Sequence, residues 1–252
     1  MKTHIITVAS GLLLLASADL SRATTTFSDD TFNNADWQMS VLFQFGNGGN
    51  VTGTQVVSGG NPGSYRRASN IVNSASGVGR SAVLGFHQWL GANYDPSTQG
   101  AIDRIDGTLD YRNISGFGDG QAYSLALLQN GKVYHPIEHA TFTVSGWQHT
   151  VATDLTADDF LLTVVTTTIT VDPAQHPDFS ASGAPIALGF TTRDATTDVA
   201  FTITAGYDNW SMTVNPVSEP GTATLAAMAC LCGVAAVVRK HGRSCLRSGP
   251  RR

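Results

Sequence analysis

The sequence predicts an all-β fold, an antiparallel β-sandwich of jelly-roll type, and three observations carry that prediction. Between the two ends the chain is rich in Gly, Thr, Ser and Val and poor in Lys and Glu, a composition that suits strands and turns better than long surface helices. Apolar residues recur with a period of two rather than 3.6. Clusters of Gly, Asn and Pro separate the strand-like runs, and no βα alternation repeats.

In chain order, Trp37–Phe45 (WQMSVLFQF) places apolar side chains at 37, 39, 41, 43 and 45, with Leu42 off the pattern. It reads as the first strand, ended by Gly46-Asn47-Gly48-Gly49-Asn50. Thr54–Val57 is a short strand that stops at Gly59-Gly60-Asn61-Pro62-Gly63, a turn dense in residues that accept positive φ. Ser64–Arg67, Ile71-Val72 and Arg80–Leu90 resume extended structure, and Tyr94-Asp95-Pro96 closes the last of these. In Ala101–Arg112 one parity holds Ile105, Leu109 and Tyr111, which marks the core side.

Tyr123–Gln129 and Lys132–His135 flank Asn130-Gly131, the strongest two-residue hairpin signal in the chain. Thr156 followed by Asp159 resembles a capping box on one helical turn. Leu161–Val171 reads as one β-branched strand, and Pro185–Thr192, Val199–Ala205 and Asp208–Val214 as the late ones. The first and last strands are expected to lie close together.

Both ends predict processing. Met1–His4 carries one positive charge, Ile5–Leu15 is apolar, and Ala16-Ser17-Ala18 has the form of a signal-peptidase site. Ser21-Arg22-Ala23 is a second such site, so residues 1–23 are read as a signal peptide. At the other end Thr222–Val238 holds seventeen residues without a charge, the shortest run that spans a hydrocarbon core as a helix. Arg239, Lys240, Arg243, Arg247, Arg251 and Arg252 follow, which marks a cytoplasmic side.

The order Ser218-Glu219-Pro220, hydrophobic helix, Arg239-Lys240 resembles the PEP-CTERM sorting signal of exported bacterial proteins. Ser218 stands where that family usually has Pro. The resemblance implies a signal over residues 217–252, recognised by an exosortase in the membrane. It also implies a protein at the cell envelope, the surface or the extracellular matrix, held at least transiently in the inner membrane. Two further stretches resemble known modules. Gly59–Tyr65 (GGNPGSY) is similar to a turn of laminin B domains, and Tyr207–Val214 (YDNWSMTV) to the closing strand of jelly-roll modules on sorted bacterial proteins.

With both ends set aside, residues 24–216 carry seven cations against seventeen acids, a net of −10. Such a domain repels nucleic acid. All three cysteines (Cys230, Cys232, Cys245) lie in the C-terminal signal, so no disulfide frame holds the domain.

No cofactor is called for, although a structural calcium at Asp103, Asp106, Asp110 and Asp119 stays open. His135-Pro-Ile-Glu138-His139 fits the His-x-x-Glu-His zinc pattern, but that chemistry needs a helix. In an extended chain the two imidazoles stand roughly 13 Å apart. Glu138 is the one glutamate of the domain, and no acid pair for glycoside hydrolysis is nominated. Aromatic residues near turns (Trp89, Tyr94, Tyr123, Tyr134 and Trp147) are the candidates for a sugar-stacking surface. The leading expectation is therefore a non-enzymatic exported surface or matrix protein that signal peptidase and exosortase process. A carbohydrate-binding module for an extracellular polysaccharide is the alternative, and a secreted hydrolase the remote one.

Overall fold

The computed structural model describes residues 23–116, 120–140 and 146–218. Ala23–Val217 forms one compact unit, a β-sandwich of antiparallel sheets. The signal-peptide positions Ala16 and Ala18, the Glu219-Pro220 pair, Arg239-Lys240, the span 222–238 and Asp119 lie outside the described residues. Among the described residues no helix is long and apolar enough to cross a membrane.

The strands in chain order are β1 (Thr25–Asp29), β2 (Trp37–Phe45), β3 (Gly49–Gly60), β4 (Gly63–Val72), β5 (Ser81–Tyr94), β6 (Ile102–Ser115) and β7 (Ala122–Gln129). They continue with β8 (Lys132–His135), β9 (His139–Ala140), β10 (Gln148–Leu155), β11 (Leu161–Val165), β12 (Ile169–Asp172), β13 (Ile186–Thr196) and β14 (Phe201–Pro216). A short helix, α1 (Pro96–Gln99), follows β5. It starts where Asp95 accepts the Ser97 backbone N–H, so the Asp-Pro pair caps a helical turn rather than simply ending a strand.

Sheet A has the order β10-β6-β14-β4-β3, and β1 also pairs with β14. Sheet B has the order β12-β11-β8-β7-β13-β5-β2, and β9 pairs with β7. Strand β14 is the spine of sheet A. One edge pairs with β6, while the other is shared by β4 along Phe201–Tyr207 and by β1 along Trp210–Val214. The first and last strands therefore lie side by side, Thr25 opposite Val214.

Between the sheets lie Phe32, Trp37, Leu109, Tyr123, Leu125, Leu127, Leu188, Phe190, Tyr207, Trp210 and Met212. Trp37 meets Trp210 edge-on with ring centroids 5.3 Å apart. Ile105 and Leu109 point inward as their parity predicts, and Asn130-Gly131 closes the β7–β8 hairpin with both residues at positive φ.

Sheet B has a second core on its other face. There Phe86, Ala126 and Val133 pack with Val41 and Phe43. Ala82 and Leu84 pack under Ile169 of β12, together with Phe45. The β11–β12 hairpin curls back to contact β2 and β5 and covers that face. Two sequence expectations change as a result. Leu161–Val171 is a hairpin, turned at Thr166–Thr168, and not one strand. The single apolar face expected of β2 is split by a bulge between Met39 and Val41, which turns Trp37, Met39 and Leu42 toward sheet A and Val41, Phe43 and Phe45 to the other face. The capping box is present, on a 3-10 turn at Ala157–Asp159.

A polar chain crosses the interior. Arg66 Nε donates to His87 Nδ1 (3.3 Å), which assigns the proton of the neutral ring to Nε2, since guanidinium is a donor only. His87 Nε2 then donates to Thr192 Oγ1, Thr192 to Asn70 Oδ1, and Asn70 Nδ2 to Asp194. Every donor points the same way. Burial, and secondarily Arg66, hold His87 well below its ordinary pKa. Burial lowers Arg66 to about 10 and raises Asp194 to about 8.

Candidate functional site

Where β6 and β10 of sheet A part from β7 and β13 of sheet B, the sandwich opens into a groove of about 500 Å³. Tyr111, Ala122, Tyr123, Glu138, His139, Thr150 and Arg193 line it. Strand register places them. Tyr123 lies opposite His139 across β7–β9, and Arg193 opposite Ala122 across β13–β7. Tyr111 lies two residues beyond Leu109 on the inward parity of β6, and is half-buried where Ile105 and Leu109 are sealed.

The rings form a staggered set. Tyr111 and Tyr123 centroids are 4.8 Å apart at 39°, and Tyr123 and His139 are 5.7 Å apart at 35°. Tyr123 also packs on Tyr207 of the core, and its hydroxyl shares a 2.6 Å hydrogen bond with Thr150 Oγ1. That bond ties sheet B to sheet A at the floor of the groove. Burial raises the Tyr123 pKa, so its hydroxyl stays protonated at any physiological pH.

The charged wall is one ion pair, Arg193 Nη2 to Glu138 Oε2 at 2.8 Å, with Arg193 Nη1 donating to the Ile169 carbonyl. Glu138 Oε1 is buried and has no hydrogen-bond partner. A buried acceptor left unmatched costs about 1–3 kcal/mol.

Of the His-x-x-Glu-His pattern, Glu138 and His139 thus fall in the groove, but with different chemistry. His135 is the last residue of β8, buried, with Nδ1–H donated to the Pro136 carbonyl. His139 is exposed on β9. The segment is extended, with no helix to bring both imidazoles to one ion. Among the described residues no group of three His, Cys, Asp or Glu is arranged to hold a metal ion. The aspartates considered for calcium diverge. Asp103 meets Arg104, Asp106 accepts from the Asp154 backbone and from Asn215, and Asp110 meets His149, Asn61 and Asn209.

The aromatic candidates separate. Tyr94 is fully buried, its hydroxyl donating to the Gln99 and Gly100 carbonyls, and Tyr134 is also buried. Both belong to the core and offer no face to a ligand. A strand end near a turn does not imply exposure when α1 or the β11–β12 hairpin folds over it. Trp89 is half-buried against Trp210. Tyr123 is buried like Tyr94 and Tyr134 and forms the floor of the groove. Trp147 lies on the opposite, outer face of sheet A, beside Tyr65 and Arg112. Sequence reasoning missed Tyr111, Thr150 and Arg193 as groove residues. For Tyr111 a signal existed, an aromatic at the end of an inward parity. For the other two, only pairing register brings them there.

No family model and no curated protein matches the chain. Solved structures similar to it include an exo-β-agarase (13% identity, TM-score 0.36, over 76% of this chain and 26% of that one). Another is the CBM22-1 xylan-binding domain of Paenibacillus barcinonensis Xyn10C (9%, TM-score 0.36, 81% and 99%). The K1 cleaved adhesin domain of Lys-gingipain from Porphyromonas gingivalis W83 is a third (11%, TM-score 0.37, 75% and 97%). The chain spans about a quarter of the agarase chain. At these TM-scores the likeness assigns neither a ligand nor a residue.

Proposed function

We propose that the chain is an exported, non-catalytic carbohydrate-binding module whose groove holds a segment of extracellular polysaccharide. The observation that carries this is a groove in which the accessible rings of Tyr111 and His139 stand beside the Arg193–Glu138 pair. Tyr111 and His139 offer apolar ring surface to the C–H faces of sugar rings, with Tyr123 buried beneath them as their support. Thr150, Arg193 and the exposed edge of Glu138 offer donors and acceptors to the sugar hydroxyls.

Cleavage is a poorer reading of the same groove. Its described lining contains one carboxylate, already paired with Arg193, and glycoside hydrolysis uses two about 5–10 Å apart. Delivery by the N-terminal signal, and sorting through Ser218-Glu219-Pro220, the helix 222–238 and Arg239-Lys240, complete the proposal.

The test is a polysaccharide panel probed with the full chain and with residues 23–217, followed by titration of any polymer retained. Binding to a neutral polysaccharide is expected, with Tyr111→Ala weakening it about tenfold, the loss of one stacking contact of about 1.4 kcal/mol. No retention on any polymer sinks the binding reading, and new reducing ends in the bound polymer sink the non-catalytic one. Mass spectrometry of the C-terminus from the native host tests sorting, because an intact Arg252 means the tail is not cut.

A further inference from the structure

The outer face of sheet A carries a second constructed cluster, independent of the groove. Arg112 of β6 lies between two rings, its guanidinium carbon 4.9 Å from the Tyr65 centroid and 4.8 Å from that of Trp147. The rings meet edge-on at 74°. Three features hold them. Trp147 Nε1 donates to the Gly59 carbonyl at 3.2 Å. Gly206 on β14 leaves room, since a Cβ there would stand 3.0 Å from both Trp147 and Tyr65 ring atoms. The turn that supplies Gly59 is pinned below. Asn61 donates its backbone N–H to Asp208 and its side chain to Asp110 Oδ2, which also accepts from Asn209.

Within this cluster Arg112 is the charged member, held between the Tyr65 and Trp147 rings. It makes no ion pair and no hydrogen bond among the described residues, and its Nε is buried and unmatched. The nearby carboxylates are committed elsewhere, Asp110 to His149, Asn61 and Asn209, and Asp208 to the Asn61 and Asn209 backbones. A guanidinium covered by aromatic rings keeps its hydrogen-bonding capacity in its own plane. An oxyanion fits that edge in a two-point contact, and neighbouring rings that exclude water strengthen the contact. We propose that Arg112, fixed between Tyr65 and Trp147, is a binding site for an oxyanion carried by a saccharide, a carboxylate or a sulfate ester.

The experiment titrates the full chain with a uronate monosaccharide, a sulfated monosaccharide and the neutral parent sugar, all at matched ionic strength. Trp147 fluorescence and the NMR resonance of the Arg112 Nε–H are the readouts, and a Trp147→Phe variant identifies the fluorescence change. Saturable shifts with one or both anions and none with the neutral sugar are expected. A uronate-only response identifies the carboxylate as the source, and a sulfate-only response the ester. Arg112→Gln is expected to weaken the response at least tenfold while Tyr111→Ala leaves it unchanged, so failure here and failure of the groove reading remain distinct. If Arg112→Gln does not melt cooperatively, Arg112→Lys replaces it, and a weakened response with charge retained supports the two-point contact. An Nε–H resonance that neither anion moves overturns the proposal, as does an affinity that Arg112→Gln leaves unchanged.

Discussion

The two sheets treat their outward faces in opposite ways. Sheet B buries both faces of its central strands. Residues 81–87 of β5 and 186–192 of β13 are buried without a break, because the β11–β12 hairpin folds over the far side. Sheet A buries one face and leaves the other to polar chemistry, with the Asp110–Asn61–Asn209 pin, the Arg112 clamp and exposed Thr and Arg side chains. A strand buried on both faces carries stability. A half-buried strand is free to carry recognition.

Phe86→Ala tests that contrast most severely. Phe86 points away from the main core, yet it is fully buried against Val41, Phe43, Ala126 and Val133. Urea denaturation should show a loss of about 3–5 kcal/mol, the range for a core phenylalanine. A loss below about 1 kcal/mol would mean that the second core contributes little.

Next in size is a pH effect from the polar chain between the sheets. Burial raises Asp194 to about 8, above its unfolded value of 3.8. The folded state therefore keeps a proton that the unfolded state has released, and stability falls as pH rises from about 4 to 8. His87, held below 6.5 by burial, acts with the opposite sign, destabilising as pH drops below 6.5. Between pH 6.5 and 8 the His87 effect has ended while that of Asp194 continues. Denaturation midpoints should fall across that window in the parent chain, and Asp194→Asn, which still accepts from Asn70, should flatten the fall. An unchanged slope would remove Asp194 as its source.

Gly206→Ala probes the outer face of sheet A. The added methyl displaces both the Trp147 and Tyr65 rings, an overpacking cost of about 1–3 kcal/mol. The accompanying change in Trp147 fluorescence separates it from a core lesion. Smallest is Gly131→Ala in the β7–β8 turn. Open space surrounds that position but φ is +73°, so only the backbone conformation is penalised, by about 1 kcal/mol.

The same contrast explains what was legible in the sequence. Sheet A strands such as β6 alternate, so their inward residues could be named, and the Asn130-Gly131 turn fixed a hairpin. The β2 pattern misled because a bulge is one extra residue in an otherwise regular run, and both faces it creates are apolar. The return of β11–β12 over sheet B left no local mark beyond Thr166–Thr168, three threonines that read equally well as strand. Of the groove, the pentad ending in His139 and the aromatic Tyr123 stood out. Arg193 and Thr150 owe their place to strands far apart in sequence. The ion pair that joins Glu138 to Arg193 is a fact of register.

The pairing of β1 with β14 has a mechanical side. Thr25 and Val214 are opposite one another at the end of a five-residue antiparallel ladder. Tension applied to the two ends of the domain would act across those hydrogen bonds one rung at a time, opening a zipper rather than shearing a sheet. β1 would peel away at low force, while β14 stays clamped between β4 and β6 along the rest of its length. Extension under load would then lengthen the linkage by a short strand before either the groove or the Arg112 clamp is disturbed.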